Sequence, residues 1–166
     1  MQALKSIFIN VAMILALLFG LTISATAAEP TFEEVESLAE KGNSLSQAAL
    51  GNYYRDGKGV RQDLSKAFYW YQKSADQGDS TGQFYVGYAY SNGRGVRQDY
   101  AKAVEWFRKS ANQNNEPAQA YMGVIYEFGE GVRQNKTIAK EWYGRSCDNG
   151  YQGSCDQYKR LNEQGY

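Results

Sequence analysis

The sequence predicts an all-α fold, an α-α superhelical solenoid of helix-turn-helix units, and three observations predict it. The three tryptophans of the 166-residue chain, Trp70, Trp106 and Trp142, stand 36 residues apart. The same step carries Gly51 onto Gly87 and Gly123, and Tyr54 onto Tyr90 and Tyr126. It also carries the tetrapeptide Gly-Val-Arg-Gln starting at Gly59 onto those starting at Gly95 and Gly131. A fixed period of this size marks an array in which each unit buries its apolar face only against its neighbours.

Taken in chain order, residues 1–28 read as a signal peptide. Lys5 supplies a positive start, Ile7 to Leu21 an apolar run broken mainly by Asn10, and Ala25-Thr26-Ala27-Ala28 the small residues that signal peptidase accepts. The other reading of this stretch is an uncleaved membrane anchor, since the run approaches spanning length. Cleavage would leave residues 29–166, starting near Ala28 or Glu29, as one exported domain in the periplasm or outside the cell, with no stable membrane insertion. Lys5 is the only charged residue removed, so 17 basic residues would face 18 acidic ones. A near-neutral surface argues against nucleic acid as a partner.

A capping helix follows over about 31–42. Thr31 and Glu34 form a capping box that starts a helix through Leu38 and Ala39, and Gly42 ends it. The first repeat covers about 45–80. Ser46, Leu50, Gly51 and Tyr54 mark its helix A. Gly57 and Gly59 permit the positive φ of a tight connection, and Val60 plugs the core. Asp63 is the N-cap of helix B, whose buried stripe is Ala67, Trp70, Tyr71, Ser74 and Ala75. Lys73 suits the negative end of the helix dipole, and Gly78 closes the unit.

The second repeat, about 81–116, carries the same pattern through Asp99, Ala103, Trp106, Phe107, Ser110 and Ala111, and ends at Asn114. The third, about 117–152, uses Asn135, Ala139, Trp142, Tyr143, Ser146 and Cys147, and ends at Gly150. Small residues at Ser46, Gly82 and Ala118 let helices approach closely. Residues 153–164 read as a lone polar helix A, with Gln157, Lys159, Arg160 and Glu163 facing solvent as a cap should.

Leu50-Gly51-x-x-Tyr54-x-x-Gly57-x-Gly59-Val60, then Asp63, Ala67, Trp70-Tyr71 and Lys73, resemble the Sel1-like repeat, a relative of the tetratricopeptide repeat. The pattern recurs three times in phase, and the third copy departs at Ile138 and at Gly144. The resemblance implies an adaptor that binds a protein or peptide partner and carries out no chemistry. Cysteine-rich members of this family bridge helix to helix by disulfides, and an exported chain meets an oxidising compartment. Cys147 and Cys155 fall at one helix-helix junction, so a disulfide is expected there, with two free buried thiols as the alternative.

No catalytic constellation is legible. The chain has no histidine, which removes histidine-dependent nucleophilic sites and the commonest zinc ligand. Gly57-x-Gly59 lacks the preceding strand and third glycine of a dinucleotide fingerprint. Neither Ser-x-x-Lys nor Lys-Thr-Gly occurs in residues 29–166, although some cysteine-rich relatives carry a β-lactamase label. Glu33 and Glu34 read as a solvated face. No enzyme, cofactor or metal is expected, and the chain is expected to be a monomer.

Two surface features remain. The helix-A positions pointing away from the buried stripe are Ala48, Asn52 and Arg55, then Phe84, Tyr88 and Ser91, then Ala120, Val124 and Glu127. Phe84 and Tyr88, with Tyr85, Tyr121, Val124 and Phe128, form a candidate partner-binding patch on the concave face; the alternative is that these rings pack between adjacent A helices. Arg61, Arg97 and Arg133 form a candidate anionic-partner edge, or else pair with local carboxylates or cover apolar surface. Two other functions stay open: a cell-wall or β-lactam-related enzyme or binder, and an immunity-type protein that neutralises an exported toxin.

Overall fold

A computed structural model describes residues 30–166; the expected signal peptide lies outside them. The described chain is eight α-helices: α1 (Phe32–Glu40), α2 (Ser44–Asp56), α3 (Leu64–Asp76), α4 (Ser80–Asn92), α5 (Tyr100–Ala111), α6 (Glu116–Phe128), α7 (Lys136–Asp148) and α8 (Gln152–Glu163). Each packs mainly on the helices before and after it, and α2 also touches α4 directly. Helices α2, α4 and α6 are the A helices of successive hairpins, and α3, α5 and α7 the B helices. No described helix is long and apolar enough to cross a membrane.

Local chemistry sets the boundaries. Thr31 Oγ1 accepts from the Glu34 amide and Glu34 returns the bond to the Thr31 amide, closing the capping box. Asp63, Asp99 and Asn135 each accept from the third residue of their B helix. Asn43, Asp79 and Asn115 do the same for the A helices. Helix α8 alone among the eight begins without a side-chain cap bond. Each A helix stops at a left-handed glycine, Gly57, Gly93 or Gly129, and the second repeat ends on Asn114 at φ 61°.

Packing repeats with the sequence. Tyr71, Phe107 and Tyr143 on the B helices are buried, and each lies against a glycine of its A helix. A Cβ on Gly87 would stand 2.9 Å from the Phe107 ring, and one on Gly123 2.6 Å from that of Tyr143. At Gly82 a Cβ would meet Ser74 Oγ at 2.6 Å and the Ala75 amide nitrogen at 2.7 Å. The expected small-residue approach is therefore real there. Trp70, Trp106 and Trp142 are half-buried rather than fully inside. Lys73, Lys109 and Arg145, three residues on, hold their charges 5.2, 4.0 and 4.8 Å from the indole centroids.

A buried amide ladder runs along the array and was not foreseen. Gln47, Gln83 and Gln119 are buried. Their Oε1 atoms accept from Gln77, Gln113 and Asn149 at 2.6, 2.8 and 2.8 Å, each thirty residues on. Gln47 and Gln119 also donate to the carbonyls of Ala39 and Ala111. Cys155 stands one period after Gln119, and Cys147 one period after Ala111. The Cys147–Cys155 disulfide, with Cα atoms 4.8 Å apart, thus joins the two positions that an amide hydrogen bond joins elsewhere.

Three placements need correction. Ala48 is buried, only 3% exposed, and so does not belong to the open face. Glu127 is also buried, because its carboxylate takes the Tyr143 hydroxyl at 3.0 Å and Arg160 Nη2 at 2.6 Å. For the same reason Arg160 is not a free solvent-facing residue of the cap but reaches back to the third repeat.

Candidate functional site

The six aromatic and apolar candidates come from two A helices. Helix α4 carries Phe84, Tyr85 and Tyr88, and α6 carries Tyr121, Val124 and Phe128; the three- and four-residue spacings keep each set on one side of its helix. The rings do pack between helices: Tyr121 meets Phe84 at 5.6 Å and Tyr88 at 5.9 Å, edge to face. They are also not lost to the core, since Phe84, Tyr85, Tyr88, Tyr121 and Val124 are half-buried and Phe128 is 65% exposed.

The B helices fix these rings from below. Tyr85 stacks on Tyr71 at 4.6 Å and Tyr121 on Phe107 at 4.9 Å, the same pair one repeat apart. Phe84 also touches Phe107 at 5.8 Å. Rigid rings presented half-open lose little conformational freedom when a partner covers them. Truncating Phe84 would disturb the core, so Tyr88 and Phe128 are the cleaner probes of the face.

Charge is placed around the rings. The Arg55 guanidinium lies 4.9 Å from the Tyr85 centroid and makes two 2.7 Å bonds to Asp56. That hydrogen bonding holds the Asp56 carboxyl below its usual range and strengthens the guanidinium's hold on its proton. Arg94 lies 5.4 Å over Tyr88. Burial pushes the Tyr71, Tyr121 and Tyr143 phenols up; the adjacent Glu127 carboxylate adds to the effect on Tyr143.

At the far end the face opens into a cavity of about 450 Å³ whose lining includes Tyr121, Val124, Glu127, Phe128, Tyr151 and Arg160. A smaller one, about 120 Å³, lies between α4, α5 and α6 beside Tyr121 and Val124. Tyr151 and Arg160 were not among the sequence candidates; Arg160 stands one period after Val124, and that register is the signal that could have placed it on this face. Among the described residues no three His, Cys, Asp or Glu side chains gather as metal ligands would. The surface offers apolar contact, hydroxyls and paired charges, the means of docking a chain segment.

The Sel1 repeat family model matches residues 44–79, 80–115 and 116–151. Among solved structures, a Sel1 repeat protein from Oxalobacter formigenes is 33% identical, with a TM-score of 0.72 over 75% of this chain and 50% of that one. The Escherichia coli protein c5321, described as a protective antigen of uropathogenic strains displaying an SLR fold, is 28% identical; its TM-score is 0.66 over 82% of this chain and 37% of its own. The chain therefore spans half or less of these two proteins. Helicobacter pylori cysteine rich protein B shares the fold at 20% identity, with a TM-score of 0.63 over 75% of this chain and 92% of its own. No curated protein sequence matches.

Proposed function

The chain belongs to the Sel1 repeat family, whose members are generally protein-interaction modules, and on that premise we propose an exported, non-catalytic adaptor that binds a protein or peptide segment. The segment lies across the A helices, on the concave side, against Phe84, Tyr85, Tyr88, Tyr121, Val124 and Phe128. The observation that carries this reading is the ring cluster joining α4 to α6, half-open on one side and stacked on Tyr71 and Phe107 on the other. Aromatic anchors on a rigid base are what interface hot spots are made of. Export is supported by the disulfide, which persists in oxidising compartments. No observation favours the cell-wall or immunity alternatives.

The test is a photo-crosslinking residue at Tyr88 in the exported protein, with Lys73, an exposed residue of α3, as the control. A discrete protein adduct at position 88 alone is the expected result. Equal labelling at both positions, or none at 88, would remove the proposed face.

A further inference from the structure

The Gly-Val-Arg-Gln tetrapeptide occurs three times, and the fold uses three of its four residues. Gly59, Gly95 and Gly131 all have φ 72°. Each sits on an earlier turn of helix: Gly59 by Phe32, Gly95 on the Leu64 carbonyl, and Gly131 where a Cβ would stand 2.9 Å from the Tyr100 carbonyl. Val60 and Val132 pack on the core clusters. Gln62, Gln98 and Gln134 donate to the carbonyls of Arg55, Ser91 and Glu127 at 2.7, 2.8 and 2.7 Å, closing the ends of the A helices. The arginine has no such role.

Arg61, Arg97 and Arg133 are exposed, and their side chains make no hydrogen bond, ion pair or ring contact among the described residues. The other five arginines are all engaged. Arg55 pairs with Asp56, Arg94 covers Tyr88, and Arg108 reaches Tyr126. Arg145 covers Trp142 and Arg160 pairs with Glu127. For the three that recur, no local carboxylate partner is found among the described residues. Because each loop rests on the start of the preceding hairpin's second helix, or of α1, the three guanidiniums line one edge at intervals of one repeat.

Helices α2 and α4, the A helices of successive repeats, touch directly, and packed helices lie about 8–10 Å apart, which sets the scale of that interval. A polyproline II chain has three residues per turn and advances about 3.1 Å per residue, so every third side chain returns to one face after about 9 Å. We infer that the arginine edge docks an acidic protein segment in this extended conformation, with a carboxylate at every third position. The formal charge of the chain is zero, so attraction would come from the aligned arginines and not from a general positive field. This edge is separate from the aromatic face, and either can fail without the other.

The probe is a fluorescein-labelled peptide of four Glu-Pro-Pro triplets, titrated by anisotropy at low salt. A peptide of the same composition with its four glutamates together is the comparison. The triplet peptide is expected to bind saturably and at least about five-fold more tightly than the block peptide. Arg61→Gln, Arg97→Gln and Arg133→Gln should each weaken binding about two- to five-fold, and the triple variant at least about ten-fold. All three sites are exposed, so an unchanged helical circular dichroism spectrum confirms that the variants fold. Equal affinity for the two peptides, no binding, or an unaffected triple variant would overturn the inference. Arginine-dependent binding of heparin with the peptide inert would assign the edge to a polysaccharide instead. Crosslinking at Tyr88 should be unchanged in the triple variant.

Discussion

Removing the disulfide should loosen one helix and leave the rest of the array in place. The bridge closes a loop with a sequence separation of 8. The chain-entropy relation gives about 2.5 kcal/mol for a loop of that size. Helix α8 has little else to hold it: no side-chain N-cap bond, two buried residues (Ser154 and Leu161), a 2.9 Å bond from Ser154 to Ser146, and the Arg160–Glu127 pair. The loss is comparable to what one buried leucine contributes. In the double variant Cys147→Ala, Cys155→Ala, amides of α8 should exchange about 70-fold faster, the equivalent of about 2.5 kcal/mol. Those of α3 should change little, since repeat stability is a sum of local and nearest-neighbour terms. Cys147→Ala with Cys155→Gln restores the residue types of the amide ladder and should recover about 1 kcal/mol, one internal hydrogen bond. Hydrogen exchange read by mass spectrometry checks all three proteins. Unchanged protection of α8, or an equal rise in α3, would refute the reasoning.

Three further outcomes are expected. Arg160→Ala leaves the buried Glu127 carboxylate with only the Tyr143 hydroxyl and should cost about 1–3 kcal/mol, while Glu127→Gln should cost less; urea midpoints that reverse this order would contradict the pairing. Gly82→Ala forces a Cβ onto Ser74 and the Ala75 amide and should destabilise by about 1–3 kcal/mol. Gly144→Ala meets only the edge of the exposed Tyr158 ring, at 3.2 Å, and should stabilise by up to about 1 kcal/mol through helix propensity; thermal melts compare the two. Tyr71, Tyr121 and Tyr143 have folded pKa values raised above the ordinary 10.0, so their contribution to stability is full below about pH 10. It is lost as pH rises through the folded values, because the unfolded chain ionises first. An absorbance titration should show these phenols ionising after the others, and simultaneous ionisation of all tyrosines would contradict their burial.

Much of the fold was legible because each helix boundary depends on nearby residues. The capping box at Thr31, the N-caps at Asp63 and Asp99, and the left-handed Asn114 all act within one turn, where spacing is informative. The amide ladder was not legible, since Gln47 has the composition of a surface position and its partner Gln77 lies thirty residues away. Glu127 misled for a related reason. Its counterparts Arg55 and Ser91 are only half-buried, and the guanidinium that neutralises it comes from Arg160, outside the three full repeats. The aromatic candidates could be named from the sequence, but not their degree of opening, which depends on whether Tyr121 leans on Phe84 or away from it. The arginines were visible as a series. That they stand unpaired became clear only once the other five were seen to be engaged.

The bonds that recur inside successive hairpins give the chain a reading frame of its own. Ser110 Oγ donates to the Ser80 carbonyl and Ser146 Oγ to that of Glu116, each across thirty residues, as do the glutamine rungs beside them. Excising residues 80–115 would remove Ser110 with the Ser80 carbonyl and Gln113 with Gln83, both partners of each pair together, and leave the Gln47–Gln77 and Gln119–Asn149 pairs whole. A cut or duplication of one whole period therefore leaves these donors and acceptors matched. A change of any other length within a helix would shift the pairs of its hairpin and strand buried amides without partners. An array built this way can lengthen or shorten by recombination in steps of one unit, carrying one more arginine or one fewer along its edge each time.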